Sequence, residues 1–588
     1  MAAAGAIALG TVDEGIVTEL NNAVEPYDLT AGQTALHEAI NLGLGFTQCV
    51  EINAAAHQGF TDCQMMALGR GLGSSKALKK VDLQFYTHRD CHDIGVTGLV
   101  EGLGAAKNLT DLSLWFSWSS FGDAGVTAVG QRLGAAVSLT KLSLQLQWCD
   151  RVGDAGVTAM SLGLQASKTL TEVFLRFKTC DKVGDVGVTA AVQGLGALKL
   201  TNVTLYLQDQ KQVSDVGVTA VGQWLGAAAS LTTVYLLLET NDKISDAGVT
   251  AIGQGIGAAT NLTDVSLYVD ACPQIGDAGV AAAAQGLGAL ESLAKFYLYI
   301  RGCPNLGDAG VTALGEKLGA SKTLANVTLE FGTGCGVGDA GVTALAQGIG
   351  ALKTLTDLFI RIQGCDNVGD AGVTAVGKGL EAATSLVNVT LYFQSSDKIS
   401  DAGVTAVAQG LGALKSLSML YLYIHKCDKV SDAGVTAVAK GLGASKSLTD
   451  VTVYLESCDN VGDAGATAVG QELGALKSMT SVALTFYYCS KVGDAGAAAV
   501  GQGLGVSKSL TSVYVYFDDD HEEGGVTGLG QGLQAATSLT KVDLNFGGDS
   551  YSAVGRDEVV QVLADMVADS DDDSDDGDGG DGEDGADQ

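Results

Sequence analysis

The chain has 588 residues, a formal net charge of −33 and a hydrophobic fraction of 46%. This length exceeds what one globular core accommodates, so the chain must contain several domains or one elongated array of repeats. The strong acidity argues against nucleic acid and against an anionic membrane as partners, because both repel a negatively charged protein.

The N-terminal segment, residues 1–58, is predicted to be a cap that contains a degenerate repeat. Residues 1–10 are apolar but lack a basic stretch, and Asp13 and Glu14 follow soon after, so a signal peptide is not expected. The sequence also has no apolar run of the ~18 residues that a membrane span needs. We therefore expect a soluble intracellular protein, cytoplasmic by default.

Residues 59–547 are predicted to be an array of repeats, because variants of the string Gly-Asp-Ala-Gly-Val-Thr-Ala recur along them. The second glycine of this string, which we call the marker glycine, occurs fifteen times from Gly95 to Gly525, mostly 31 residues apart. A fixed period of this length indicates a solenoid whose units stack on their neighbours.

Each unit is predicted to begin with a helix, as residues 401–431 illustrate. Asp401 is a suitable N-cap, and apolar residues between Val404 and Leu414 recur with helical spacing. Gly410 and Gly412 are interpreted as the residues that weaken and end this helix.

A strand follows in the same unit, because Leu420, Leu422 and Ile424 alternate with Tyr421 and Tyr423. Neither the helix nor the strand can bury its apolar side alone. Stacking the units pairs the strands in a parallel sheet on one side and places the helices on the other. The predicted fold class is therefore α/β.

The chain is expected to end in a capping helix over residues 548–568 and a disordered acidic tail over residues 569–588. In the first segment, Val559, Leu563 and Val567 have helical spacing. The tail has 11 acidic residues and no aromatic or branched apolar residue, so it cannot bury enough apolar surface to fold. We interpret it as a solubilising tail, with contact to a basic partner or phosphorylation of its serines as alternatives.

The segment Leu417-x-x-Leu420-x-Leu422 matches the start of the leucine-rich-repeat signature. The Asp-x-Gly start of each helix resembles the ribonuclease-inhibitor-like class of that superfamily. The resemblance implies a horseshoe-shaped solenoid with the parallel sheet on the concave side and the helices on the convex side. The period of 31 exceeds the family's usual range of about 20–29, which makes this a long variant. Members of this class bind proteins, and one branch with an acidic tail after its repeats activates a Ran-type GTPase.

Eight of the twelve cysteines lie at one position of the repeat, seven residues before the marker glycine. Gln210, Asn241 and Ser396 replace cysteine at that position. A position that accepts all four residue types is interpreted as a buried one that caps the loop backbone. A disulfide-linked or metal-binding column is the alternative.

Other candidate chemistry is weak. His88, Cys91 and His92 form one short cluster without the second half of a zinc site, so an irregular loop is the favoured interpretation. The Gly-Gln-Gly-Leu-Gly segments follow a helix and not a strand, which argues against a phosphate-binding loop. We predict no catalytic residues, no cofactor and no metal ion, and we expect that the protein is not an enzyme.

The candidate binding surface is the outward side of the strands, where 13 of the 16 tyrosines lie. Tyrosine and arginine are favoured at protein interfaces. At the first outward position, aromatic and small residues alternate, which predicts aromatic ridges about 10 Å apart; duplication of repeat pairs is an alternative origin of this pattern. The predicted partner-binding residues are Tyr235, Tyr268, Tyr297, Tyr299, Arg301, Phe359, Arg361, Tyr392, Tyr421, Tyr423 and Tyr454.

These patterns predict a scaffold or receptor that binds a protein partner on its tyrosine-rich concave face, and they predict a monomer. Two alternatives stay open at this point. The acidic tail favours a regulator of a small GTPase, similar to a GTPase-activating protein. The near-identity of the units favours a structural spacer.

Overall fold

The computed structural model describes residues 49–54, 61–86, 91–518, 523–546 and 549–568. The chain divides into two compact units, unit 1 within Met1–Leu324 and unit 2 within Ala325–Gln588. Helices and strands alternate along both units, which confirms the predicted α/β repeat architecture. The predicted acidic tail and most of the predicted N-terminal cap lie outside the described residues.

Unit 1, over its described residues, is a parallel sheet covered on one side by helices. Its strands are β1 (Cys49–Ala54), β2 (Lys80–Tyr86), β3 (Asp111–Ser117), β4 (Lys141–Gln147), β5 (Glu172–Lys178), β6 (Asn202–Gln208), β7 (Thr233–Glu239), β8 (Asp264–Asp270) and β9 (Lys295–Arg301). Its helices are α1 (Asp62–Ser74), α2 (Asp93–Ala105), α3 (Asp123–Gly134), α4 (Asp154–Leu164), α5 (Asp185–Gly196), α6 (Asp215–Ala227), α7 (Asp246–Ala258), α8 (Asp277–Gly288) and α9 (Asp308–Gly319).

Unit 2 repeats this arrangement. Its strands are β10 (Asn326–Phe331), β11 (Asp357–Gln363), β12 (Asn388–Gln394), β13 (Met419–His425), β14 (Asp450–Glu456), β15 (Ser481–Tyr487), β16 (Ser512–Phe517), β17 (Lys541–Phe546) and β18 (Asp549–Val554). Its helices are α10 (Asp339–Ala351), α11 (Asp370–Ala382), α12 (Asp401–Ala413), α13 (Asp432–Gly443), α14 (Asp463–Gly474), α15 (Asp494–Gly505), α16 (Glu523–Gln534) and α17 (Arg556–Ala568). Strands β10 to β17 are parallel.

The strands of each unit pair in register, so equivalent residues of successive repeats lie side by side. Leu420 of β13 pairs with Val451 of β14, and Leu422 pairs with Val453. All four side chains are buried. The core of each unit therefore lies between the sheet and the helices, where each buried aliphatic side chain contributes about 1.5–3 kcal/mol of transfer free energy.

The aspartate that begins helices α1 to α15 is not the N-cap residue of its own helix, as α12 illustrates. Asp401 is the first residue of α12, and the N-cap is Ser400, whose hydroxyl accepts a hydrogen bond from the backbone N of Ala402. Asp401 Oδ1 instead accepts hydrogen bonds from the backbone N of Ser431 at 2.7 Å and of Gly434 at 2.9 Å, at the start of α13. The predicted N-cap role of Asp401 is thus wrong, because its carboxylate reaches into the next repeat.

We call this contact the aspartate staple. It satisfies backbone N–H groups that have no partner inside the next helix, and it places negative charge at the positive end of that helix dipole. The Oδ1-to-nitrogen distances lie between 2.7 and 3.2 Å. The staple is also formed by Asp62, Asp93, Asp123, Asp154, Asp185, Asp215, Asp246, Asp277, Asp339, Asp370, Asp432 and Asp463.

Two recurring glycines are explained by close approach between repeats. A Cβ atom on the marker glycine Gly434 would lie 2.5 Å from Asp401 Oδ1, so a larger residue would break the staple. A Cβ atom on Gly410 of α12 would lie 2.1 Å from the carbonyl oxygen of Gly377 in α11. The predicted role of Gly410 and Gly412 in ending the helix is wrong, because α12 continues past both. Gly410 instead lets adjacent helices pack closely.

The C-terminal end of unit 2 contains a strand that the sequence analysis missed. Residues 549–554, which were included in the predicted capping helix, form β18 and pair antiparallel with β17. Helix α17 follows and buries Val559, Leu563 and Met566. It packs on α16, where Gln534 Nε2 donates a hydrogen bond to the carbonyl oxygen of Leu563 at 2.9 Å.

Candidate protein-binding face

Each strand presents alternate side chains on the side of the sheet away from the helices, which we call the open face. On β13 these residues are Tyr421, Tyr423 and His425, which follow the exposed first residue Met419 and alternate with the buried residues Leu422 and Ile424. Because the strands are in register, equivalent outward residues of successive strands form three columns. The columns bring together side chains that are 31 residues apart in most repeats.

The predicted partner-binding residues all lie on the open face. Ten of them are partly buried, and Arg301 is exposed. Tyr235, Tyr268, Tyr297, Tyr299 and Arg301 belong to unit 1, and Phe359, Arg361, Tyr392, Tyr421, Tyr423 and Tyr454 belong to unit 2. The contacts divide most of them into one cluster in each unit.

The Tyr268 cluster of unit 1 consists of Tyr268, Asp270, Tyr299 and Arg301. The two tyrosine rings are stacked, with centroids 4.0 Å apart and an interplanar angle of 6°. Arg301 Nε and Nη2 donate to the two carboxylate oxygens of Asp270 at 2.9 and 2.6 Å. Burial and the hydrogen bond to Tyr299 raise the pKa of Tyr268, so its hydroxyl stays protonated at neutral pH. The cluster is thus a neutral, ordered aromatic surface beside an ion pair.

The Arg361 cluster of unit 2 consists of Glu330, Phe359, Arg361 and Tyr392. Arg361 Nη1 donates to Glu330 Oε2 at 3.0 Å, and the guanidinium carbon lies 4.5 Å from the centre of the Tyr392 ring. The Phe359 ring centre lies 5.7 Å from the same carbon. Arg361 is therefore held by a carboxylate and by cation–π contacts on the open face.

A row of tyrosines continues the Arg361 cluster. The Tyr423 ring packs on those of Tyr392 and Tyr454, with centroids 5.0 and 4.7 Å apart. The Tyr423 hydroxyl donates to the carboxylate of Glu456. Burial and this hydrogen bond raise the pKa of Tyr423. His425 lies beside the same carboxylate, and its pKa is lowered because burial disfavours the charged ring.

Rings of the first and second outward columns contact each other across neighbouring strands. Phe174 lies 4.9 Å from Tyr206, and Tyr206 lies 5.3 Å from Tyr235. In unit 2, Tyr392 lies 5.2 Å from Tyr421. The prediction of separate aromatic ridges is thus wrong at these strands, because tyrosines of the second column fill the gaps between them.

Unit 1 contains a second group that the sequence analysis did not select. Two tryptophans follow adjacent strands, and their rings stack with centroids 4.5 Å apart. We call the group the aromatic–basic patch; it consists of Trp115, Trp118, Trp148, Arg176, Lys178 and Tyr206. The signal was present in the sequence, since three of the four tryptophans lie within 34 residues, at positions 115 to 148.

The recurrent cysteine position is buried beneath the loops. Cys427 Sγ lies 3.5 Å from the carbonyl oxygen of His425 and 3.9 Å from that of Phe393 in the preceding repeat. At the equivalent position, Asn241 Nδ2 donates to the carbonyl oxygen of Leu207 at 2.9 Å. The acceptors of these bonds are residues of the strands, whereas the predicted contact with loop backbone is made by Ser396 Oγ, which donates to the carbonyl oxygen of Val368. Burial raises the pKa of the Cys427 thiol to about 12.

The predicted His88, Cys91 and His92 cluster is not a metal site among the described residues. Cys91 packs against Met65 and His92 lies beside Asp62, while His88 lies outside the described residues. Within the described ranges, no group of three His, Cys, Asp or Glu side chains is arranged to hold a metal ion. Every described helix is too short or too polar to cross a lipid bilayer.

Residues 139–161 match the sequence model of the Leucine Rich repeat family. They contain strand β4 and most of helix α4, which is one strand and one helix of the unit that recurs along the chain. The described repeats have the leucine-rich-repeat fold. Solenoids of this family are typically interaction scaffolds and not enzymes, and their stacked repeats provide extended binding surfaces.

Two solved structures show a similarity to this chain. The complex of Rad7 and Elc1 from yeast is 14% identical, with a TM-score of 0.39 over 79% of this chain and 90% of that one. The complex of TLR13 with ssRNA13 is 16% identical, with a TM-score of 0.38 over 86% of this chain and 68% of that one. No curated protein matches the sequence.

Proposed function

We propose that this leucine-rich-repeat protein is a monomeric scaffold or receptor that binds a protein partner through its open face. The Tyr268 cluster and the Arg361 cluster are the proposed anchors, one in each unit. The observation that carries the proposal is that these side chains are already fixed by ring stacking at 4.0 Å and by a cation–π contact at 4.5 Å. A partner that binds ordered aromatic side chains loses little conformational entropy.

The charges of the two clusters also favour a protein partner. Arg301 is paired with Asp270, and Arg361 is paired with Glu330. Each arginine can still offer further N–H groups to a peptide carbonyl or carboxylate, because a guanidinium has five donors. A polyanion would instead meet a carboxylate next to each arginine, in a chain whose net charge is −33.

Site-specific photo-cross-linking tests the proposed face. A photoreactive phenylalanine derivative is placed at Tyr297 on the open face, or at Gln409, which is exposed on α12 on the helix side. The partner should cross-link from the first position and not from the second. With the captured partner purified, Tyr299→Ala should weaken its binding by about 1–2 kcal/mol, whereas Gln409→Ala should have little effect.

The Arg361 anchor needs a paired substitution. Glu330 is only 11% exposed, so Arg361→Ala alone would leave a mostly buried carboxylate without its cation. The double variant Glu330→Gln/Arg361→Ala removes both charges and should keep the fold while weakening the partner. If cross-links form mainly from the helix side, or if the open-face variants bind as tightly as the parent chain, the open face is not the binding site.

A further inference from the structure

The aromatic–basic patch of unit 1 contains an exposed aromatic side chain, whereas the aromatic side chains of the two anchor clusters are partly buried. Trp118 is 49% exposed, and its backbone φ of 56° lies in the left-handed region that residues with a side chain rarely adopt. Trp148 has a φ of 51° at the equivalent position of the next repeat, and the two rings stack. The two tryptophans thus both have a left-handed backbone conformation, which places their stacked rings at the end of the sheet, with Trp118 exposed to solvent.

Two cations lie on the same strand beside the tryptophan pair. Lys178 Nζ is 5.8 Å from the centre of the Trp148 ring. The guanidinium carbon of Arg176 is 5.9 Å from the centres of both the Trp115 and the Tyr206 rings. The patch therefore combines flat aromatic surfaces with two positive charges in a chain that is strongly acidic overall.

The outward residues on the two strands next to these cations are uncharged at the same register positions. Arg176 is placed in register between Gln145 and Tyr206, and Lys178 is placed between two glutamines. In contrast, the arginines of the Tyr268 and Arg361 clusters each have a carboxylate on the preceding strand. The residues in register with the two cations are thus uncharged, and the next carboxylate, that of Glu239, accepts a hydrogen bond from Gln208.

A groove crosses the starts of strands β2 to β7, next to the patch. It has a volume of about 320 Å³, and its lining includes Asp111, Ser113, Phe174 and the ion pair of Lys141 and Glu172. The distance along the strand direction from Ser113 to Trp118 is about 16 Å, at ~3.3 Å per residue. An extended peptide of about five residues therefore reaches from the groove to the tryptophan pair.

We propose that the aromatic–basic patch binds an acidic peptide segment. One or two carboxylates of the segment contact Arg176 and Lys178, and a neighbouring aromatic side chain packs on Trp118. This inference rests on the proposed function and states the chemistry of the partner segment that unit 1 recognises. A peptide is favoured over single-stranded nucleic acid because two cations balance two carboxylates but not a chain of phosphates.

Peptide selection on the whole protein tests this inference. Random peptides displayed on phage are selected on the immobilised full-length chain and compared with selection on Trp118→Ala/Lys178→Gln. Peptides that depend on the patch should carry Asp or Glu next to Trp, Tyr or Phe. Enrichment of neutral or basic sequences, equal enrichment on both proteins, or no enrichment would overturn the inference.

Single substitutions then assign the binding to individual side chains. For a synthetic peptide of the selected sequence, Trp118→Ala and Lys178→Gln should each raise the dissociation constant about tenfold. Tyr488→Ala is the matched control, since Tyr488 is 55% exposed with a φ of 52° at the equivalent position in unit 2. It should not change peptide binding. Circular dichroism checks that each variant folds.

The same variants separate this inference from the alternatives. Saturable binding of single-stranded oligouridylate that is lost in Trp118→Ala would overturn it in favour of a nucleic-acid site. If selected peptides bind without the patch while Tyr299→Ala still weakens the captured protein partner, the inference fails and the proposed function stands. If the patch variants, Tyr299→Ala and Glu330→Gln/Arg361→Ala all leave partner binding unchanged, the open face itself is excluded.

Discussion

The helix side of the sheet and its open face differ in how much they vary between repeats. On the helix side, the stapling aspartate, the marker glycine and the glycine at the helix contact recur because each touches the next repeat. On the open face, one column holds Tyr299 in unit 1, and the same column holds Glu330, Arg361 and Tyr392 on successive strands of unit 2. Near-identity of repeats thus reflects packing between repeats, whereas variation is found where packing does not determine the residue.

Gly410→Ala should give the largest effect, on the helix side. Helix propensity alone predicts that alanine stabilises by about 1 kcal/mol. The added Cβ would lie 2.1 Å from a backbone oxygen of the adjacent helix, so the helices must move apart. We expect a net loss of about 2–3 kcal/mol in the free energy of unfolding, measured by urea denaturation. Gln409→Ala is the control, and a Gly410→Ala chain more stable than the parent would contradict the close-packing explanation.

Asp401→Ala should have the second-largest effect. It removes the acceptor for two backbone N–H groups, those of Ser431 and Gly434, and for the Ser431 hydroxyl. We expect a loss of about 2 kcal/mol in the free energy of unfolding. Asp401→Asn keeps an oxygen acceptor without the charge and should lose about half as much. Equal losses for the two variants would show that charge, and not the acceptor, dominates the staple.

A double-mutant cycle on Glu330 and Arg361 should show a smaller effect on the open face. Arg361 is 32% exposed and Glu330 is 11% exposed, so we expect a coupling energy of about 1 kcal/mol in the free energy of unfolding. The exposed pair Lys211 and Asp181 is the control, and its coupling should be close to zero. Equal coupling in the two pairs would mean that burial does not strengthen the Arg361 contact.

Protonation of His425 should lower the stability of the protein in acid, and we expect this effect to be the smallest of the four. Burial lowers the pKa of the folded ring below the ordinary value of 6.5. His425 therefore takes up its proton at a higher pH in the unfolded chain than in the folded chain, so the free energy of unfolding decreases as the pH falls below about 6.5. For one proton, this decrease is at most about 1.4 kcal/mol per pH unit. Denaturation midpoints near pH 7.5 and pH 5.5 should differ less in His425→Gln than in the parent chain. An unchanged pH dependence would assign the acid sensitivity to other groups.

The comparison also explains which features the sequence could predict. The period, the helices, the parallel strands and the outward residues follow from local spacing, since alternation of two and of three to four residues is visible within one repeat. The roles of Asp401 and Gly410 were wrong because each acts on a residue 33 positions away, Gly434 and Gly377. Those contacts depend on how repeats stack, which one repeat does not reveal.

The candidate site was predictable only as a set of positions. The sequence analysis selected Tyr268 and Tyr299, but the stacking of their rings depends on side-chain rotamers and on register. It passed over Trp118 because that residue follows the strand, in a turn where alternation has ended. It missed β18 because residues 549–554 contain little apolar sequence, and their strand is formed by pairing with β17.

The aspartate staple has a consequence for how this chain can change in length. Most repeats contribute one carboxylate to the following repeat and receive one from the preceding repeat, through contacts such as Asp401 to Gly434. Insertion or removal of one complete repeat therefore pairs the carboxylate of one repeat with equivalent N–H groups of its new neighbour, and the aspartate staples stay intact. A deletion of part of a repeat breaks an aspartate staple and shifts the strand register. Length variants that still fold should thus differ by whole repeats. Unequal recombination between near-identical repeats would produce such variants.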